Sequence, residues 1–400
     1  MTVTMTMTMT TDRIDRAITA ARALGATPWQ PVAPVGEAPS RAVLLGDPQT
    51  SLDRFMAVLD AHGLLGDVGR LRPDVALVSA GDHFDYGTGD RAVVAADGLA
   101  ALRWLADHPP DRVVLLAGNH DLARVSELAR ITDEDFARAR SLACAARDGD
   151  PGAAEAFARE FPDIPTPQVA WRDYSGFTEA QRTLVQSLLV AGRLHLARAL
   201  RTADGDALLA THAGVTVDDL ALLGIPAVRD PARIAEAIEA YLAAAVGVAA
   251  GRWSAGERVP LELAPLHTAG TGGADGREGA GLLYHRPASR TDPGDIRFQP
   301  PARRYEPGSL PRGLTQACGH TGHAKCRTDL APWATPAAMA VARGGLRTLR
   351  STGAGAVYEP GVQPPEACEA TLYLVDAEMH HVPAADYPAL ALDPASIAPG

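Results

Sequence analysis

Lysine is almost absent from this chain. Lys325 is the only one among 400 residues, so nearly every basic side chain is an arginine. Beside so much Ala, Gly and Pro, that bias points to a GC-rich genome rather than to a function. Positive charge is scarce altogether: the formal net charge is −11 and the isoelectric point about 5.5. Such a balance excludes a general binder of nucleic acid or anionic membrane, and a phosphate-bearing partner must be held by a metal or a few local arginines. Cysteine is scarce too. Cys144, Cys318, Cys326 and Cys368 are too few and too scattered for a disulfide framework. Cys318 and Cys326 bracket a His-rich turn, where they can bind zinc, pair with each other or remain free thiols. No apolar run reaches the length of a membrane span; the nearest, Ala240 to Ala250, is too short. The first residues alternate Met and Thr through Thr11 without a basic start or an apolar core, so they read as a flexible leader and not a signal peptide. The cytoplasm is the expected location.

What is present is an ordinary globular composition, 46% hydrophobic and 21% charged. Residues 1–40 read as leader, short helix from Asp12 to Leu24 and proline-rich linker. Ala42 to Leu45, Val75 to Ala80 and Val113 to Leu116 read as buried strands, with helices expected over Leu52 to His62 and Arg91 to Ala106 between them. This alternation predicts a layered α/β domain over residues 41–387. Residues 122–205, rich in Ala, Arg and Glu, read as a helical insertion and a possible cap. Ala207 to Ala210 reads as a strand, Asp230 to Val248 as a helix, and Gly345 to Ser351, Gly355 to Tyr358 and Thr371 to Val375 as late strands. The glycine-dense stretch from Gly270 to Gly281 and the segment from Pro287 to Pro311 read as long loops, and residues 388–400 as a loose tail.

The chemistry stands at the strand ends. Asn119-His120-Asp121 follows Gly118; taken alone, it is either a polar turn or the edge of a site. Asp47, Asp82 and His212 end other strands in the same way, and His320 lies in Cys318-Gly319-His320-Thr321. Carboxylate, amide oxygen and imidazole suit Mn, Fe or Zn. Open α/β sheets bind ligands at the carboxyl ends of their strands, and such groups converging there can hold two ions roughly 3.5–4 Å apart.

In their order, Gly46-Asp47-Pro48-Gln49, Gly81-Asp82-His83-Phe84-Asp85-Tyr86-Gly87, Gly118-Asn119-His120-Asp121, Thr211-His212-Ala213-Gly214, Leu282-Leu283-Tyr284-His285-Arg286 and Gly319-His320-Thr321 resemble the motifs of the metallophosphoesterase (calcineurin-like) superfamily. The closest likeness is to its phosphoprotein-phosphatase and bacterial diadenosine-tetraphosphatase-like branch. The resemblance implies a four-layer α/β/β/α sandwich and two divalent ions (Mn, Fe or Zn). Asp47 and the residue at Gln49 would hold the first ion, Asp82 would bridge both, and Asn119, His212 and His320 would hold the second. His120 would protonate the leaving oxygen, oriented by Asp85, while a metal-bound hydroxide attacks phosphorus; Arg286 would clamp phosphate.

Two positions depart from that pattern. Gln49 replaces a histidine, which weakens the first metal position unless His323 supplies the missing ligand. Tyr86 replaces a phosphate-binding arginine and offers substrate one hydrogen bond without charge. His83 and His285 also lie in motif loops, as residues lining the site or facing solvent. The expected function is a phosphomonoesterase acting on a small phosphorylated molecule or phosphoprotein. A phosphodiester or nucleotide-polyphosphate hydrolase is the alternative, and a degenerate binding protein or a scaffold turned to other metal chemistry is the alternative of another class.

Overall fold

A computed structural model of the chain describes the backbone of residues 2–86, 89–270, 279–289, 303–341, 343–352 and 355–397, and their side chains from residue 12 onward. The elements run α1 (Thr2–Gly25), β1 (Arg41–Leu45), α2 (Leu52–Ala61), β2 (Val75–Ser79), α3 (Arg91–Ala106), β3 (Val113–Leu116) and α4 (Asn119–Leu122). There follow α5 (Asp133–Arg147), α6 (Pro151–Glu160), a π-helical turn (Val169–Asp173), α7 (Glu179–Val190), β4 (Leu194–His195), β5 (Ala197–Arg201), β6 (Ala207–Thr211), α8 (Val217–Leu222) and α9 (Pro231–Ser254). Short strands β7 (His267–Thr268), β8 (Ala280–Gly281), β9 (Arg286–Pro287) and β10 (Arg304–Tyr305) precede β11 (Thr315–Cys318), α10 (His323–Asp329), α11 (Pro336–Ala340), β12 (Arg347–Ser351), β13 (Ala356–Pro360), β14 (Ala370–Leu374) and β15 (Leu390–Leu392).

Two sheets stack face to face. The first has the order β15-β1-β2-β3-β4 and the second β13-β12-β14-β11-β6-β5. Within the first, β1 to β4 are parallel, and within the second β6, β11 and β14 are parallel. Alternation along each strand explains the layers. Ala42, Leu44, Ala76, Val78, Val114 and Leu116 meet Leu208, Ala210, Ala317 and Tyr373 between the sheets. Val43, Leu45, Val75, Leu77, Val113 and Leu115 face outward into the core shared with helices α1 to α3. A sheet covered on both faces needs strands without polar alternation, which is how β1, β2 and β3 read in the sequence. Outside the second sheet, α9 packs on β5 and β6 through Ile234, Ile238 and Leu242, and Cys326, Leu330 and Ala338 pack beneath Cys318, Leu349 and Leu372. The α/β/β/α arrangement is thus present.

Several boundaries differ from the sequence reading. The leader is helical from Thr2, continuous with the part of α1 that packs on α2 and α3; once that packed part is formed, each further residue adds a bond without a new nucleation cost. The insertion is helical only to Val190. Residues 194–201 are strands, because Leu194 and His195 pair with the free edge of β3, and Ala197–Arg201 pair with β6. The tail is not loose: Leu390, Ala391 and Leu392 pair with Leu44, Val43 and Ala42, and Ile397 is wholly buried. Helix α9 is long and apolar enough, by length and composition alone, to cross a membrane, beyond what Ala240 to Ala250 indicates; a third of that window is buried on the second sheet. Most of the expected loops at Gly270 to Gly281 and Pro287 to Pro311 lies outside the described residues.

Candidate metal centre

Parallel strands deliver their carboxyl ends to one edge, and the polar residues gather there. Asp47 follows β1, Asp82 follows β2, Asn119 and His120 follow β3, His212 follows β6 and His320 follows β11. Close approach between these turns requires glycine. A Cβ on Gly118 would lie 2.0 Å from Asp82 Oδ1, and one on Gly319 would lie 1.8 Å from Asp47 Oδ1. Asp82, Asp85 and His320 hold positive φ angles of 55°, 65° and 60°, a conformation that side-chain-bearing residues keep when their surroundings over-determine it. Part of that determination comes from Asp121, whose carboxylate accepts from the backbone N–H of Gly118 at 2.8 Å, Asp82 at 2.9 Å and His83 at 3.0 Å.

Among the described residues, Asp82, His212 and His320 place one ligand atom each within 4.8 Å of one another. Asn119, the chain's only asparagine, brings Oδ1 to 3.3 Å from His212 Nε2. His212 Nδ1 donates to the Ala80 carbonyl at 2.8 Å, so Nε2 is the ring nitrogen turned toward Asn119 and Asp82, in the manner of metal-ligating histidines. His320 Nε2 and Asp47 Oδ1 are buried without a hydrogen-bond partner. Orphaned polar atoms of this kind cost free energy unless something satisfies them, and a divalent cation does so. Burial, then the Arg286 charge, push the His320 pKa well below that of an ordinary imidazole, which keeps the ring in its neutral, ligating form. Burial opposes ionisation of Asp82, but His212 and His120 pull its pKa below the carboxylate range. The donor set fits a metal ion.

Beside these residues, His120 Nδ1 donates to Asp85 Oδ2 at 3.1 Å. Arg124, which follows α4 and is fully buried, pairs with the same oxygen at 2.6 Å. It also donates to the His120 carbonyl at 2.7 Å and to Gln181 at 3.1 Å. The helical insertion reaches the centre here: Gly176 N–H donates to Asp85 Oδ1 at 2.8 Å, and the Tyr174 ring stands edge-on to His120 at 5.1 Å. Sequence reasoning assigned no role to Arg124, Tyr174 or Asp121. Only the spacing of Arg124, four residues after His120 on a helical turn, gave a signal.

A cavity of about 190 Å³ opens at this edge, lined by Asp47, Gln49, Asp82, His120, Arg286 and His320, and also by Lys325 and Asp376. Residues 40–225 match the family model of the calcineurin-like phosphoesterases. Over that segment the match supports the metallophosphoesterase superfamily. No curated protein and no solved structure matches it. The family carries out metal-dependent hydrolysis of phosphoric esters, and the matched segment contains Asp47, Asp82, Asn119, His120 and His212. His320, which joins Asp82 and His212 in the metal-sized cluster, lies beyond it.

The structure departs from the expected site at several positions. Gln49 faces the cavity, and its amide nitrogen donates to the Phe84 carbonyl at 3.1 Å. Tyr86 lies at the cavity wall, but its hydroxyl donates to Asp97 at 2.9 Å and is not offered to substrate. His323 does not replace a ligand: it begins α10, and its buried ring lies against the Arg347 guanidinium. His83 is structural, bonded to Ser79 at 2.9 Å and Asp121 at 3.0 Å, and His285 stands 3.5 Å from Asp219. Arg286 does reach the cavity, where its Nη2 donates to the His320 carbonyl at 3.1 Å. Lys325 joins it there, its pKa pushed down to about 8, first by the Arg286 charge and then by desolvation. Cys318 and Cys326 are free buried thiols beneath the site.

Proposed function

We propose that this phosphoesterase is a phosphomonoesterase for a small phosphorylated molecule. The observation that carries the reading is the polarity of the cavity: Asp47, Asp82 and His320 line it, with His212 close behind Asp82 and His320, and Arg286 and Lys325 line it too. The two cations match the charge of a terminal phosphate. At about 190 Å³, the cavity suits a phosphoryl group with a compact leaving group better than the roughly 300–1,000 Å³ common for drug-sized ligands. When bound, divalent ions such as Mn, Fe or Zn supply a nucleophilic water at neutral pH and neutralise phosphate oxygens. His120 holds a proton for the leaving oxygen, with Nε2 free because Nδ1 is committed to Asp85. The partner is the substrate alone, and the cytoplasm is the proposed setting.

Protein reloaded with Mn²⁺ is assayed against an aryl phosphomonoester, an aryl phosphodiester, a dinucleoside tetraphosphate and a phosphopeptide. Preference for the monoester is expected. Faster turnover of the diester or tetraphosphate moves the assignment to the other hydrolase class, and uptake of metal without turnover of any of them makes the chain a binding protein.

A further inference from the structure

Two carboxylates lining this cavity, Asp376 and Glu378, belong to none of the sequence motifs, and Glu378 is engaged by the Ala324 backbone N–H at 3.0 Å. Asp376 stands two residues beyond β14, as His320 stands two beyond β11, and these parallel strands pair with Cys318 opposite Leu374. Asp376 therefore ends a strand just as the motif residues do, and it lines the same cavity as Asp47, Gln49 and Asp82. Its Oδ1 accepts from the Glu378 backbone N–H at 2.8 Å. Its Oδ2 lies against Gly322, where a Cβ would come within 3.1 Å. Asp47 and Asp82 are seated in the same manner, against Gly319 and Gly118. Carboxylates held close over bare backbone have little room for any direction but the cavity.

Asp47 is 3% exposed, its Oδ1 is buried without a hydrogen-bond partner, and its side chain lines the cavity that Asp376 also lines. Gln49 adds a neutral oxygen, since its amide nitrogen is committed to Phe84.

We propose that Asp376 completes a first metal position built only from oxygen, with Asp47, Gln49 and Asp82, and that this position takes a hard cation such as Mg²⁺ or Mn²⁺ in preference to Zn²⁺. All-oxygen sets favour hard ions, whereas the imidazoles of His212 and His320 suit the second position to Zn, Fe or Mn. The carboxylate stands in for the charge and ligand lost where Gln49 occupies the histidine position. This rests on the reading of the cavity as a phosphoesterase metal centre.

The test is metal uptake, not turnover. Metal-free protein is titrated with Mn²⁺ and with Zn²⁺ by calorimetry, and bound metal is counted by elemental analysis. Wild type is expected to take two Mn²⁺ but only one tightly held Zn²⁺. Asp376→Asn should keep one ion and weaken the other by more than about tenfold, the loss already typical of removing an outer partner of a ligand. Asp376→Glu should recover part of it, and the melting temperatures of the metal-free variants should match wild type. In protein holding one Zn²⁺ and one Mn²⁺, pulsed electron paramagnetic resonance should find no histidine nitrogen coupled to Mn²⁺; this holds even if the variants fold poorly. Two ions held equally well by Asp376→Asn, two tight Zn²⁺, or a nitrogen-coupled Mn²⁺ each overturn the proposal. Wild type that takes up no ion at all overturns instead the phosphoesterase reading on which it rests.

Discussion

His120 gives its Nδ1 to Asp85, 3.1 Å away, and directs Nε2 toward Asp82, 3.9 Å away. The imidazole thus has one nitrogen tied to protein and the other at the wall of the cavity where a leaving oxygen would sit. His120→Ala removes the proton donor without removing a metal donor. It should retain wild-type metal content and lose roughly 10²- to 10⁴-fold in kcat on an unactivated monoester. Much less should be lost on an aryl ester whose leaving group needs no proton. Full activity on both substrates would falsify the assigned role.

Arg124 is the counter-charge that lets Asp85 stay ionised beside His120. Burial resists ionisation of Asp85, but the guanidinium holds its pKa below the usual carboxylate value. Arg124→Met deprives the buried Asp85 of its guanidinium partner and leaves it only His120 and the Gly176 N–H; breaking a buried pair in this way typically costs up to about 3–5 kcal/mol. Urea unfolding should show that loss, and kcat should fall with it because Asp85 no longer fixes the His120 ring. A variant as stable as wild type would mean that Asp85 finds another partner.

Tyr86 gives the opposite expectation. Its hydroxyl bonds Asp97, whose same oxygen accepts from the Leu52 backbone N–H at 3.1 Å at the start of α2. Tyr86→Phe should cost about 1 kcal/mol of stability and leave KM within twofold. A tenfold rise in KM would restore Tyr86 to the substrate side.

Far from the centre, His108 should make the fold acid-sensitive. Leu71 N–H donates to its Nε2 at 3.1 Å, while its Nδ1 donates to the Trp104 carbonyl at 2.8 Å, so the folded chain holds the neutral ring. Burial pushes its pKa down to about 3, against about 6.5 in an unfolded chain. Between those values the unfolded state binds a proton that the folded state does not. The contribution is complete above pH 6.5 and is lost as pH falls toward 3, at up to about 1.4 kcal/mol per pH unit. Urea unfolding from pH 4 to 7 measures this, and His108→Gln should flatten the dependence by close to one proton.

The half of the centre carried by the first sheet was legible because its physics is local. Strands β1, β2 and β3 are apolar runs, and the Gly-Asp, Gly-Asp and Gly-Asn-His that follow announce both the chain reversal and the chemistry. Strand β11 hid because Gln316 sits inside it; its amide accepts from Val215 N–H at 2.8 Å and donates to Val215 O at 3.0 Å, a partnership no local pattern reveals. Residues 197–201 read as helix because Ala, Arg and Leu favour one, and only pairing with β6 makes them a strand. Asp376 and Lys325 enter the cavity through neighbours distant in sequence. The misplaced role of Tyr86 has the same origin, since Asp97 belongs to the following helix.

The strand Leu390–Leu392 completes an edge of the first sheet against β1, and Leu392 also bridges Thr202 just beyond β5 of the second sheet. This strand therefore stitches together two layers whose other strands precede it in the chain. On the ribosome, Asp47, Asp82 and Asn119 emerge long before His320 and Asp376, and the seam that joins the two sheets is made after both. The centre is thus a late product of synthesis. Until residues 390–392 are made and paired, β1 presents an open edge, the kind of surface on which chains pair wrongly with one another.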